Sequence, residues 1–242
     1  QMIQEACQQV DEKVNFADYD SNGDGYVDLV YVIYAGYSES ITGNSGDCLW
    51  PKSGTVGVGT YDGRTVRRFG INNELNNTPE DTKDGKYYIN GIGLFCHEFS
   101  HTLGLPDIYP TNNLTEHNQS PEYWDVMDMG SYQANGYQPI PYSSWEKSIV
   151  GWKQPTLLSD TEAQQITLEP YDKASDAFKI IANSNGEYLL LQNIRNEGWY
   201  KEAQGYGLLV WRIDYDDKPS VNLKDNPNNT LGKPRVMIVP AD

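Results

Sequence analysis

Long hydrophobic runs are missing from this 242-residue chain, and basic residues are few. No apolar stretch approaches the roughly 18 residues of a membrane-crossing helix, and mean hydropathy is -0.64, so a transmembrane helix is excluded. Lys and Arg number 18 against 34 Asp and Glu, a net charge of -16. Nucleic acid and anionic membrane surfaces would meet repulsion, so neither is an expected partner. Cysteine is scarce too: Cys7, Cys48 and Cys96, none in a CxxC pair, which argues against a thiolate metal site and allows at most one disulfide. The opening stretch, QMIQEACQQV, lacks the pattern of a secretory leader. The expectation is that a leader was removed or that the segment was cut from a longer precursor.

What the chain does contain is aromatic and turn-forming. With 18 Tyr and 6 Trp it is not composed like a disordered protein, and its length suffices for one large domain or one domain plus a smaller one. Ile3, Cys7, Val10 and Val14 share a face of a helix predicted over 2–14. VDLVYVIYAG (27–36) reads as a buried strand and TVRRFGI (65–71) as a short one, whereas 37–63 and 72–86 read mostly as loop. GIGLFCHEFSHTLG (91–104) predicts a helix closed by Gly104, with Pro106 preventing continuation. Residues 107–141 look irregular. YSSWEKSIVGW (142–152) is a helix candidate with Trp145, Ile149 and Trp152 on one face. After Pro155 the segments ITLEP, AFKIIA, EYLLLQN, GLLVWRI and RVMIV read as strands between turns, and 214–230 as an Asp/Asn-rich loop.

The segment HEFSHTLGLPD (97–107) carries chemistry. On a helix His97 and His101, four apart, project from one face and can share one metal ion. Glu98 can reach a metal-bound water without becoming a ligand. This is the HExxH arrangement of two zinc ligands and a general base. Gly104 allows a left-handed bend and Pro106 keeps the chain extended, so Asp107 can supply a third protein ligand. Three protein ligands with one open position is the pattern of catalytic rather than structural zinc. Downstream, YWDVMDMGSY (123–132) offers Met127, or second Met129, for a tight turn that packs soft sulfur beneath a zinc site. Tyr132 is a candidate hydrogen-bond donor to an oxyanion. His117, in a polar stretch, reads as an exposed histidine rather than a ligand, and Cys96 as buried or disulfide-bonded.

A second metal loop is predicted at DSNGDGYVD (20–28), where Asp20, Asn22, Asp24 and Asp28 alternate around Gly25 and Tyr26 offers a backbone carbonyl. The spacing follows an EF-hand-type calcium loop, but Tyr31 stands where a bidentate Glu is expected, which argues against a true EF-hand. The expected role of calcium here is structural.

Taken in order, FADYDSNGDGYVDLVYVIYAG, GLFCHEFSHTLGLPDIY, YWDVMDMGSY, SSWEKSIVGW, EYLLLQNIRNEGW and GLLVWRIDYD resemble the immune inhibitor A-like family of secreted bacterial zinc metallopeptidases. The resemblance implies an α+β fold: a zincin-like catalytic domain with mixed sheet, active-site helix and backing helix, followed by a β-rich region. It implies zinc on His97, His101 and Asp107, catalytic Glu98, Met127 in the Met-turn, calcium in the loop after residue 18, and synthesis with an N-terminal propeptide. Two departures are Gln192, where members often have Glu, and Arg212, where they often have His. The expected division is 1–155 as the metallopeptidase domain (helix about 91–104, Met-turn about 125–130) and 156–242 as a truncated β-rich region.

The leading expectation is a secreted zinc endopeptidase acting on proteins or peptides by attack of a zinc-bound water, with Glu98 as base and then acid. One alternative takes the third ligand from Glu116 or Glu122, as in a thermolysin-like site. Another is a non-catalytic, calcium-stabilised binding or adhesion module on a zincin scaffold.

Overall fold

Apolar residues spaced at helical and strand periods build the scaffold of the chain. Its computed structural model describes residues 1–112, 119–159, 161–174, 176–183, 185–215 and 226–241. His117 and Glu116 lie outside them. The chain divides into two units, 1–102 and 103–242.

In the first unit, helix α1 (Met2–Val10) buries Ile3 and Cys7. It ends four residues short of Val14, because the chain passes into a turn at Asp11. Strand β1 (Val30–Tyr34) is followed by a short helix α2 (Glu39–Thr42), then β2 (Lys52–Tyr61), β3 (Arg64–Asn73) and helix α3 (Ile92–Thr102). The sheet order is β1-β3-β2, with β1 parallel and β2 antiparallel to β3. Ile3 and Cys7 join Phe16, Val27, Tyr61, Val66, Phe69 and Ile71 in one core, where the Phe16 and Tyr61 rings stack at 4.9 Å.

Strand β2 corrects the reading of 37–63 as mostly loop. Its glycines weaken the strand signal, yet Gly54 gives the Phe69 ring room to lie 3.2 Å from where a Cβ would stand. The β2–β3 turn is Asp62-Gly63, with φ of +48° and +73°, the left-handed pair of a two-residue hairpin loop. That Asp-Gly signal marks a hairpin which the composition of 37–63 masks.

Helix α3 packs on β3 and β2, and Phe95 meets the Tyr31 ring of β1 edge-on at 4.6 Å. Gly70 makes this geometry available. It pairs with Tyr31 across the strands, and a Cβ there would fall 2.3 Å from the Tyr31 ring, so only glycine lets that ring lie across its neighbour.

In the second unit, helix α4 (Ser144–Ile149) begins with a capping box. The Ser143 hydroxyl accepts from the Glu146 N–H, and Glu146 in return accepts from the Ser143 N–H at 2.6 Å, so orphan amides at the helix start are satisfied locally. Because α4 stops at Ile149, Trp152 does not share the buried face with Trp145; it is exposed and stacks edge-on with Tyr142 at 5.3 Å.

Five strands, β4 (Thr156–Leu157), β5 (Phe178–Ile181), β6 (Tyr188–Ile194), β7 (Gly207–Ile213) and β8 (Val236–Ile238), follow in spatial order, with a short helix α5 (Tyr171–Ala174) between β4 and β5. The ITLEP segment is not a strand; Pro170 makes a single bridge to Asn193. Strict alternation on β6 buries Tyr188, Leu190, Gln192 and Ile194 on one face. The Arg212 side chain of β7 is ion-paired with Glu187.

Candidate metal centre

Helix α3 repeats every 3.6 residues, so His97 and His101 fall one turn apart on one face. Their ring centroids are 4.9 Å apart and the rings nearly perpendicular, at 84°. His97 and Glu98 are buried and His101 is half-buried. At Gly104, φ is +95°, which ends the helix and turns the chain toward Asp107. One ligand atom each from His97, His101 and Asp107 lie within 4.8 Å of one another. Two imidazole nitrogens and a carboxylate oxygen at that separation suit a divalent metal of zinc's size and ligand preference. Among the described residues this is the one such group of three.

Glu98 sits near two tyrosines of β1. Burial, then the charge of Glu98, pushes the Tyr31 phenol up, and burial together with Cys48, Glu98 and Glu39 pushes Tyr34 up to about 12. Both therefore stand as neutral phenols beside the carboxylate. Cys96, next to His97, is a half-buried free thiol whose titration is raised by burial. No disulfide forms among Cys7, Cys48 and Cys96.

Beyond Asp107, the Ile108 N–H donates to the Met127 carbonyl at 3.1 Å. Met127 is completely buried whereas Met129 is exposed. Asp125 shapes the turn at Met127: its carboxylate accepts from the Met127 N–H at 2.7 Å and its carbonyl from the Gly130 N–H at 2.9 Å. A Cβ on Gly130 would stand 2.4 Å from that carbonyl oxygen, so the turn closes only around glycine. Tyr132 lies in the 3-10 segment Met129–Gly136 with an exposed side chain. Glu122, the alternative third ligand, is also exposed.

Asp125 was not singled out by the sequence, nor was Glu146. Both are fully buried, and the charge of the Glu146 carboxyl acts on Asp125. Loss of solvent and then the neighbouring carboxyl hold Asp125 well above the usual carboxylate range, and burial also raises Glu146. The Ser143-x-x-Glu146 spacing was a readable signal for the helix start; nothing local in the sequence announces that the glutamate also meets Asp125.

The residues of loop 20–28 are close in the chain but turned on the backbone. Asp20 accepts from the Asp24 and Gly25 N–H groups, each at 3.0 Å, and pairs with Arg64 at 2.5 Å. Asn22 accepts from the Asp24 N–H, Asp24 from the Tyr26 N–H, and Asp28 from the Ser21 N–H.

A histidine pair and a following aspartate as metal donors, with a glutamate between the histidines as base, is an arrangement of metal-dependent hydrolases. Residues 4–155 match the catalytic domain of immune inhibitor A peptidase M6, and the chain belongs to that family of metallopeptidases. Similar relatives are the pre-pro-metalloprotease PrtV of Vibrio cholerae, 29% identical over 173 residues that cover 62% of this chain and 18% of that protein, and immune inhibitor A of Bacillus thuringiensis subsp. alesti, 30% identical over 156 residues covering 55% and 21%. The chain thus spans about a fifth of the length of these relatives. The family match ends at Pro155, just before β4, whose first residue is Thr156.

Proposed function

We propose that this chain is the catalytic part of a secreted zinc endopeptidase, with the metal on His97, His101 and Asp107 and Glu98 as general base and acid. The convergence of three donor atoms within 4.8 Å carries the reading. Zinc bound there supplies a Lewis acid that polarises a peptide carbonyl and lowers the pKa of water. His97 and His101 would each offer one ring nitrogen to the metal, and Asp107 one carboxylate oxygen.

Glu98, adjacent to His97 on the helix, takes the proton from the attacking water and returns it to the leaving amine. Two neutral phenols near it, Tyr31 and Tyr34, add no competing charge. Met127 forms the floor of a Met-turn, its backbone tied to the residue after Asp107. Tyr132, with its exposed phenol, is assigned as hydrogen-bond donor to the oxyanion that develops on the substrate.

Extended protein or peptide substrates fit this chemistry. A propeptide and further domains belong to the same reading, drawn from the printed name of the Vibrio relative and its greater length. In the loop 20–28 we assign structural calcium to Asp20, Asn22, Asp24, the Tyr26 carbonyl and Asp28, on the strength of their alternation around Gly25.

The test is cleavage of an unfolded protein together with metal content, wild type against Glu98→Ala. The variant is expected to keep its zinc and lose turnover by roughly 10²–10⁴-fold. Unchanged turnover would remove Glu98 as the base, whereas no cleavage by the zinc-loaded wild type would leave the chain a non-catalytic binding module.

A further inference from the structure

Asn228 lies far beyond the residues that match the family, which end at 155, in a segment whose sequence reads as plain loop. It is completely buried. Its Nδ2 donates to the carbonyl of Ile108 at 2.8 Å and to that of Val236 in β8 at 2.8 Å. Its Oδ1 accepts from the N–H of Arg235 at 2.8 Å and of Val236 at 3.1 Å. Both N–H groups and both lone-pair directions of the amide are thereby used.

Ile108 follows Asp107 directly. Its N–H is held by the Met127 carbonyl and its carbonyl by Asn228, so both backbone polar groups of that residue are fixed, one from the Met127 turn and one from the sheet. Two neighbours extend the brace at the surface: Asn226 donates to the Tyr109 carbonyl at 2.7 Å, and Asn229 accepts from the Thr111 N–H at 2.8 Å. Only Asn228 makes its bonds in a place without water, where losing one leaves a buried polar group unsatisfied.

We infer that Asn228 is a positioning residue for the metal: it fixes the backbone after Asp107 to β8, and so holds the aspartate carboxylate at the distance the histidine nitrogens require. The inference rests on the assignment of zinc to His97, His101 and Asp107. Groups that orient a metal ligand without touching the ion characteristically change affinity by roughly 10–100-fold when removed.

The experiment measures zinc affinity by chelator competition on the full chain, together with melting of the metal-free form. The proteins are wild type, Asn228→Ala, Asn228→Asp, Asn226→Ala and Ile194→Val. Asn228→Asp keeps an oxygen to accept from the Arg235 and Val236 N–H groups but cannot donate to Ile108. Ile194→Val thins the buried core of the same sheet without touching the brace.

Both Asn228 variants are expected to bind zinc roughly 10–100-fold more weakly, while Ile194→Val lowers melting and leaves affinity at the wild-type value. Wild-type affinity in Asn228→Ala and Asn228→Asp would overturn the inference, as would equal weakening by Ile194→Val. If neither Asn228 variant folds, Asn226→Ala decides: a severalfold loss of affinity supports the brace and no loss overturns it. A wild-type chain that takes up no zinc would instead sink the metal assignment itself, and this inference with it.

Discussion

The segments 97–107 and 20–28 were both read from spacing as metal sites, and they are built in opposite ways. In the first, the helical repeat and one left-handed glycine bring donor atoms of three side chains within 4.8 Å of each other. In the second, the Asp and Asn oxygens accept from amides of their own loop, and Asp20 also pairs with Arg64. A helix places its histidines whether or not an ion is present, because backbone hydrogen bonds do the placing. A loop has no such repeat, so its carboxylates must first hold the loop. Spacing in a regular element therefore specifies a site more directly than the same density of oxygen in a turn.

His101→Ala should break the comparison most severely, by removing one of the two imidazoles. Zinc retained after dialysis should fall from one per chain to near zero, as read by elemental analysis, with cleavage falling alongside. Full zinc retention would mean that the convergence on α3 is not the binding site.

Calcium should have a smaller, purely stabilising effect. At a hundredfold excess over Kd it should add about 2.7 kcal/mol, visible as a rise in Tm that Asp24→Asn diminishes. A Tm indifferent to calcium would leave 20–28 as a self-contained turn.

A third effect, one of pH, is expected from the Asp125–Glu146 pair. Its folded-state titration is raised, so as pH rises the unfolded chain sheds protons before the folded one does. The stability this pair contributes is complete below about pH 4, the unfolded carboxylate range, and declines as pH climbs toward the raised folded value. Denaturant melts over that window should show a stability slope of at most about 1.4 kcal/mol per pH unit from one proton, shallower in Glu146→Gln. Equal slopes would mean that the pair ionises as freely folded as unfolded.

Local chemistry was legible in the sequence wherever one element set it. The period of α3, the stop at Gly104 and the strands β1, β3, β6 and β7 follow from side-chain pattern. Strand β2 was hidden because three glycines dilute its signal, and their role depends on rings from elsewhere, such as Phe69 over Gly54. Asp125 and Glu146 were hidden because their partnership crosses about twenty residues of chain, and Asn228 because it meets Ile108 across more than a hundred. No window on the sequence contains both halves of such a contact.

Gly104 carries one more implication. With φ at +95°, a Cβ there would meet nothing within 4 Å, so the constraint on this position is chirality and not room. L-Alanine is opposed by its own backbone, whereas a D-alanine introduced by semisynthesis would suit the native torsion and narrow the wandering of the denatured chain. The bend that delivers the aspartate is thus a question of mirror image, answered in nature by the one residue that has none.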